Sequence, residues 1–361
     1  MRVRRGLIVA GLGLAGTTAV AALAVCLGSG CSTLAYYGQA VHGHLDLLGR
    51  ARPVAEVLAG SEVPAPVRER LQLSQQMRDF AVRELALPDN RSYRRYADLQ
   101  RDAAVWNVVA TPELSLTLQT WCFPVMGCVG YRGYYDRADA DALAAELKAR
   151  GLDVQVYGVP AYSTLGWTEW LGGDPLLNTF IRWPEADLAR LIFHELAHQV
   201  AYAADDTTFN ESYATAVERL GGQRWLAHRP AAAAEAERAD VRRADWRAFM
   251  QRQRDRLQAI YAGPGDDAAR RAAKAEAMAA WRVDYEVMKR ERWGGFAGYD
   301  AAVARANNAS FGVQAAYHDL VPAFERLFER EGRDWARFHA EVKRLAALPK
   351  DQRRATLESL R

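Results

Sequence analysis

The decapeptide LIFHELAHQV, Leu191 to Val200, restricts the chain more than any other stretch. Leu191, Ile192, Phe193, Leu196 and Val200 recur with helical spacing and make an apolar frame suited to burial. Set into this frame are His194 and His198. Residues four apart on a helix differ by about 40° around the axis and by one turn along it, so both imidazoles point the same way and can grip one ion. Glu195 is displaced by about 100° and need not be a ligand. It is placed instead to take a proton from a water molecule. This is the H-E-x-x-H arrangement of zinc hydrolases, in which zinc polarises a carbonyl and brings the pKa of water toward neutrality. The competing reading is a buried helix that happens to hold two histidines. With seven histidines in 361 residues, a chance match is expected in on the order of one in a hundred chains of this composition.

A catalytic zinc site takes three protein ligands and keeps a fourth position open. The segment FNESYATAVE, Phe209 to Glu218, offers two carboxylates for the third place. Glu211 is the first candidate. Glu218, two turns on and near the same face, is its substitute. One zinc ion per chain is the expectation. Glu211 also has an ordinary reading: Thr208 and Glu211 have the spacing of a capping box, which would use the glutamate to close a helix end. No His-x-x-Gly-x-x-His continuation follows the motif, which argues against a metzincin.

The N-terminus has the order of an export signal. MRVRR is basic, Gly6 to Leu27 is apolar and without charge, and Gly28, Ser29 and Gly30 are small. The apolar run is also long enough to span a bilayer, so an uncleaved anchor competes with a cleaved signal. The small residues before Cys31 resemble the lipobox of bacterial lipoproteins, with Gly28 where leucine is usual. Residues 1–30 are therefore expected to leave as a signal peptide, with Cys31 carrying lipid; Cys26, after the bulky Val25, fits less well. Ser32 resembles the outer-membrane sorting pattern. Cys122 and Cys128 remain, in WCFPVMGC. An oxidising compartment favours a disulfide between them. The rival, a zinc cysteine pair, usually has two to four intervening residues rather than the five found here. A net charge of +3 gives no electrostatic case for nucleic acid.

Helical patterns dominate the rest. A helix is expected from Pro64 to about Leu87, another from Arg137 to Arg150, and a third from Pro184 through the decapeptide. A further helix is expected from about Asn210 to Arg219, with Gly221 and Gly222 as its stop. Residues 231–293 read as a long helical hairpin turned at GPGD, with the motif GGFAGY as a joint behind it. Four short stretches read as strands: SLTLQ (115–119), VGYRGYY (129–135), LDVQVYG (152–158) and NTFIRW (178–183). The expected fold is α+β: a predominantly α-helical catalytic domain over residues 31–361, with a small antiparallel or mixed sheet beside the motif helix.

These features occur together in a recognisable order. CSTLAYYGQAVHGHLDLL, WCFPVMGCVGYRGYY, VPAYSTLGW, FHELAHQ, FNESYATAVE and NNASFGVQAAYHDLVPAFERL resemble the predicted aminopeptidase lipoproteins of Gram-negative bacteria over nearly the whole mature chain. The resemblance implies a gluzincin-like zinc aminopeptidase acting on short peptides, lipid-anchored in the cell envelope and facing the periplasm. Gluzincins often set their third ligand in Asn-Glu-x-x-Ala, matched here by Asn210, Glu211 and Ala214, although the interval from His198 is shorter than in the familiar aminopeptidases of that clan. Zinc peptidases hold substrate backbone beside the motif helix, which gives Ser163, Thr164 and Trp167 of VPAYSTLGW a place in the cleft; a plain turn at Gly166 is the alternative. An oxyanion donor downstream of the ligands is implied at Tyr317, with His318 beside it. Glu218 and Asn308 (or Asn307) are candidates for binding the substrate's ammonium or backbone, and the asparagines are equally suited to helix capping. An endopeptidase, and a helical envelope scaffold with a structural metal or none, are the other function classes. Glu195 argues against the scaffold, because a structural metal site has no use for a base.

Overall fold

Proline stands at the start of several of the helical segments, and the apolar stripes along them decide how the segments pack. The computed structural model describes residues 31–123, 127–161, 173–313 and 320–360. It falls into two compact units, Met1–Gly49 and Arg50–Arg361. Helix α1, Cys31–Arg50, accounts for the described part of the first unit. Among the described residues no helix is long and apolar enough to cross a membrane. The expected signal peptide, residues 1–30, lies outside the described residues.

The second unit opens with β1 (Arg52–Pro53), α2 (Val54–Ala59) and α3 (Ala65–Leu85). Pro64 and Pro66 start α3, where no amide hydrogen is needed, and Ala86 closes it in a left-handed conformation with φ of 50°. Its buried stripe is Val67, Leu71, Ser74, Met77, Arg78, Ala81 and Leu85. Then come β2 (Arg95–Ala97), β3 (Val105–Pro112), β4 (Trp121–Phe123), β5 (Gly127–Val129), β6 (Arg132–Tyr134), α4 (Arg137–Ala149), β7 (Leu152–Val159) and β8 (Leu176–Leu177). Strand β3 is the centre of an antiparallel sheet ordered β6-β3-β7. Val108, Val109, Ala110 and Thr111 are all buried, as befits a strand covered on both faces. A second sheet, β1-β2-β8, is mixed, with β2 and β8 parallel. β4 and β5 form a hairpin in which Cys122 faces Cys128, and the two are joined as a disulfide.

Two expected strands are absent. Residues 115–119 form no ladder, although Gln119 N donates to Ala110 O. Residues 178–183 fold into successive tight turns, with Ile181 N donating to Leu177 O and Trp183 N to Phe180 O. The pairing partner in that region is Leu176–Leu177 instead.

The remaining chain is helical: α5 (Glu185–His198), α6 (Thr207–Leu226), α7 (Pro230–Ala262), α8 (Asp267–Arg292), α9 (Asp300–Arg305), α10 (Asn308–Gly312), α11 (Val321–Arg330), α12 (Trp335–Ala346) and α13 (Lys350–Glu358). The architecture is α+β and predominantly helical, as the sequence patterns imply. The expected hairpin is α7 and α8, joined around Gly263–Asp266. Phe249, Trp281, Tyr285 and Trp293 fill its core, with Trp246 and Tyr299 stacked beside them. Lys274 ties α8 to the sheet: its ammonium donates to Asp153 at 2.7 Å and to Glu113 O at 2.8 Å.

Candidate metal centre

Helix α5 buries Ala186, Leu188, Ala189, Ile192, Phe193, Leu196 and Ala197, which leaves His194 and His198 to face α6. Arg190 fixes α5 from its flank by a two-pronged bond to Asp240 of α7, at 2.8 and 2.7 Å. A short connection, residues 199–206, then returns the chain into α6.

That connection is closed by side chains. Asn210 accepts from Ala203 N and donates to Ala203 O, both at 2.8 Å. Asp206 caps α6 by accepting from Phe209 N. The cap is thus Asp206, not Thr208, so the capping-box reading of Glu211 does not hold. Asp206 is fully buried and paired with Arg353 at 3.0 Å and with Arg354, both from α13. Burial alone would raise its pKa, but bonds from Arg354, Phe209 N and Arg353 hold it below the ordinary carboxylate value.

Gly221 and Gly222 lie inside α6 rather than at its end. A Cβ on Gly221 would come within 2.7 Å of Leu85 and 3.1 Å of Phe193; one on Gly222 would come within 3.0 Å of Arg190. The glycines let α6 approach α3 and α5 closely, and this close approach is the reason the helix continues through them.

The approach gathers a donor set. His194 Nε2 is 3.2 Å from His198 Nε2 and 3.4 Å from a Glu211 oxygen. His198 Nε2 is 3.7 Å from the other Glu211 oxygen. Donors around 2.0–2.2 Å from a tetrahedral zinc are separated by roughly 3.3–3.6 Å; the His194–His198 and His194–Glu211 spacings are close to this, while the 3.7 Å contact of His198 is made by the second Glu211 oxygen. His194, His198 and Glu211 fit a zinc ion in both geometry and donor chemistry.

Glu218 meets the opposite side of His194, 3.1 Å from Nδ1. Glu211 and Glu218, seven residues apart on α6, therefore bracket one imidazole. Such a carboxylate fixes the ring's orientation and leaves Nε2 to the ion. Burial disfavours charge on His194, but Glu211 and Glu218, with Glu195 nearby, outweigh it and lift its pKa to about 10. His198 is lowered to about 4, by burial first and then by the charge on His194. The surplus of carboxylates draws positive charge to this spot. Glu195 itself is half-buried beside His194 and outside the donor set.

Other expected site residues fall elsewhere. Asn308 is fully buried, and its amide donates to Glu113 O at 2.7 Å and Ser115 O at 3.1 Å. Its oxygen accepts from Tyr261 at 2.7 Å. Those bonds make it a joint between sheet and hairpin instead of a substrate contact. Asn307 caps α10 in a capping box with Ser310. Ser163, Thr164, Trp167, Tyr317 and His318 lie outside the described residues.

One buried contact near the ligand helix has no trace in the local sequence. Tyr213 donates to His339 Nδ1 at 2.8 Å, and His339 Nε2 donates to Leu85 O at 2.8 Å. Burial pulls the His339 pKa down to about 4, against the bond to Leu85 O and together with the charge of Lys343. The unfolded chain protonates this residue near pH 6.5, so between about 6.5 and 4 it binds more protons than the folded chain. The stability held above pH 6.5 is lost as pH falls through that window. Urea unfolding at pH 7.5 and 4.5 should show the parental chain losing about 2–3 kcal/mol more than His339→Gln. Equal losses would contradict this account.

Comparison with known families now adds to the geometry. Residues 35–357 match the family model described as "Putative aminopeptidase". The chain belongs to that family. No curated protein and no solved structure matches it. Family membership makes a peptide the substrate class to consider.

Proposed function

We propose that the chain is a zinc-dependent aminopeptidase that removes N-terminal residues from short peptides. The convergence of His194, His198 and Glu211 within 4.8 Å of one another carries this reading. These three residues would hold the zinc, which when bound would polarise the scissile carbonyl and activate water. Glu195 takes the proton of the attacking water and returns it to the leaving amine, as general base and then acid. Glu218 holds His194 in the tautomer that presents Nε2 to the ion. Tyr317 is the candidate donor to the oxyanion, and Ser163, Thr164 and Trp167 the candidates for holding substrate backbone.

Acylation of Cys31 anchors the protein to the Gram-negative envelope, facing the periplasm from the outer membrane. The Cys122–Cys128 disulfide supports an oxidising compartment. The test of exopeptidase action is hydrolysis of matched peptides with free and acetylated N-termini. Cleavage restricted to the free amine is expected. Equal rates on both would make the protein an endopeptidase.

A further inference from the structure

Helix α1 has no lysine, arginine, aspartate or glutamate between Cys31 and Leu45. A surface helix ordinarily turns charged and polar side chains outward. Here the outward side is apolar. Tyr37, Val41 and Leu45 are 37%, 60% and 56% exposed. Steps of four residues drift by only about 40°, so the three side chains make one stripe along the helix. Gly38 and His42 lie beside the stripe, and the helix ends on the exposed Gly49 and Arg50. Leaving Val41 and Leu45 more than half exposed forgoes about 1–2 kcal/mol each relative to full burial.

The sequence just before the helix says what covers the stripe. The apolar run Gly6 to Leu27 ends three residues short of Cys31. Acyl chains on Cys31 would hold the start of α1 at the bilayer surface. An uncleaved run would do the same, because three residues reach only about 10 Å. Leu45 lies about 21 Å further along the helix axis. A helix standing upright would carry that leucine well out into water, whereas one lying flat keeps the whole stripe at the headgroup level.

We infer that α1 lies in the membrane interface, with Tyr37, Val41 and Leu45 buried at the boundary between headgroups and acyl chains. Attachment at the N-terminus, as proposed above, is its premise. The stripe itself has no cation, so apolar burial holds it, and the only cation able to respond to salt or to anionic lipid is Arg50 at the far end of the helix.

The experiment uses the full chain reconstituted into phosphatidylethanolamine vesicles. Tyr37→Cys, Val41→Cys and Leu45→Cys are labelled one at a time with a fluorophore. Val283→Cys, on an exposed site of α8, serves as the aqueous control, and the unsubstituted chain supplies the background from Cys26 and Cys31. Flotation of the vesicles reports attachment separately. Labels at 37, 41 and 45 should be quenched several-fold more by nitroxide lipids than the label at 283, and correspondingly less by iodide, with no change in high salt. Floating protein whose three labels respond to iodide as the control does would overturn the inference while leaving the anchor intact. Labels shielded from both quenchers would overturn it in favour of a second copy or another protein on the stripe. Failure to float would overturn both the anchor and the seating that depends on it.

Discussion

Glu195→Gln is expected to lower kcat by about three orders of magnitude while leaving zinc content and KM nearly unchanged. The amide is close in shape to the carboxylate but cannot accept the proton of the attacking water. Glu195 is half-buried and lies on α5 beside His194, outside the cluster of candidate ligands. Its removal therefore separates proton transfer from metal binding. Activity within tenfold of the parental chain would show that another group is the base. Loss of zinc along with activity would mean that Glu195 belongs to the donor set.

The second large effect is on stability. Asp206→Ala should cost about 3–5 kcal/mol, because it leaves Arg353 buried without its inner carboxylate and removes the cap of α6. Arg353 is 2% exposed and Asp206 1% exposed, so water cannot replace the lost contacts. Asp205→Ala is the matched control. That carboxylate also meets Arg353, at 3.2 Å, but its side chain is 57% exposed, and its removal should cost no more than about 1 kcal/mol. Denaturant unfolding of the two variants checks the contrast. Similar costs for both would mean that burial of the Asp206–Arg353 pair does not matter. Since α6 also carries Glu211 and Glu218, Asp206→Ala should weaken metal binding as well, through displacement of the helix.

What the sequence makes legible is local. The i,i+4 histidines, the apolar frame around them and the hairpin with its GPGD turn are each written within a few dozen residues. The Cys122–Cys128 pair, which closes a two-stranded hairpin, is equally local. Sheet membership is less legible, because pairing depends on a distant partner. The run VWNVVATP of β3 is not among the expected strands although it is rich in β-branched residues, whereas SLTLQ alternates convincingly and yet finds no neighbour. Gly221 and Gly222 show the same limit. Their composition suggests a helix end, but the space they provide is used by Leu85, Phe193 and Arg190 from two other helices. Asn308 carries the chemistry of a ligand-binding amide, but carbonyls nearly two hundred residues away in sequence occupy it. The site itself divides similarly: HELAH is visible at once. The choice between Glu211 and Glu218 is not, because both lie on one face and only the packing of α5 on α6 sets one against Nε2 and the other against Nδ1.

That division gives the most direct test of the metal centre. Zinc content should be measured on the purified chain, on Glu211→Gln and on Glu218→Gln, each reconstituted and then dialysed. The account predicts about one zinc per chain in the parent and little in Glu211→Gln. Glu218→Gln should still fill at saturating zinc, with affinity reduced by about 10- to 100-fold. Full zinc in Glu211→Gln, or none in the reconstituted parent, would contradict it.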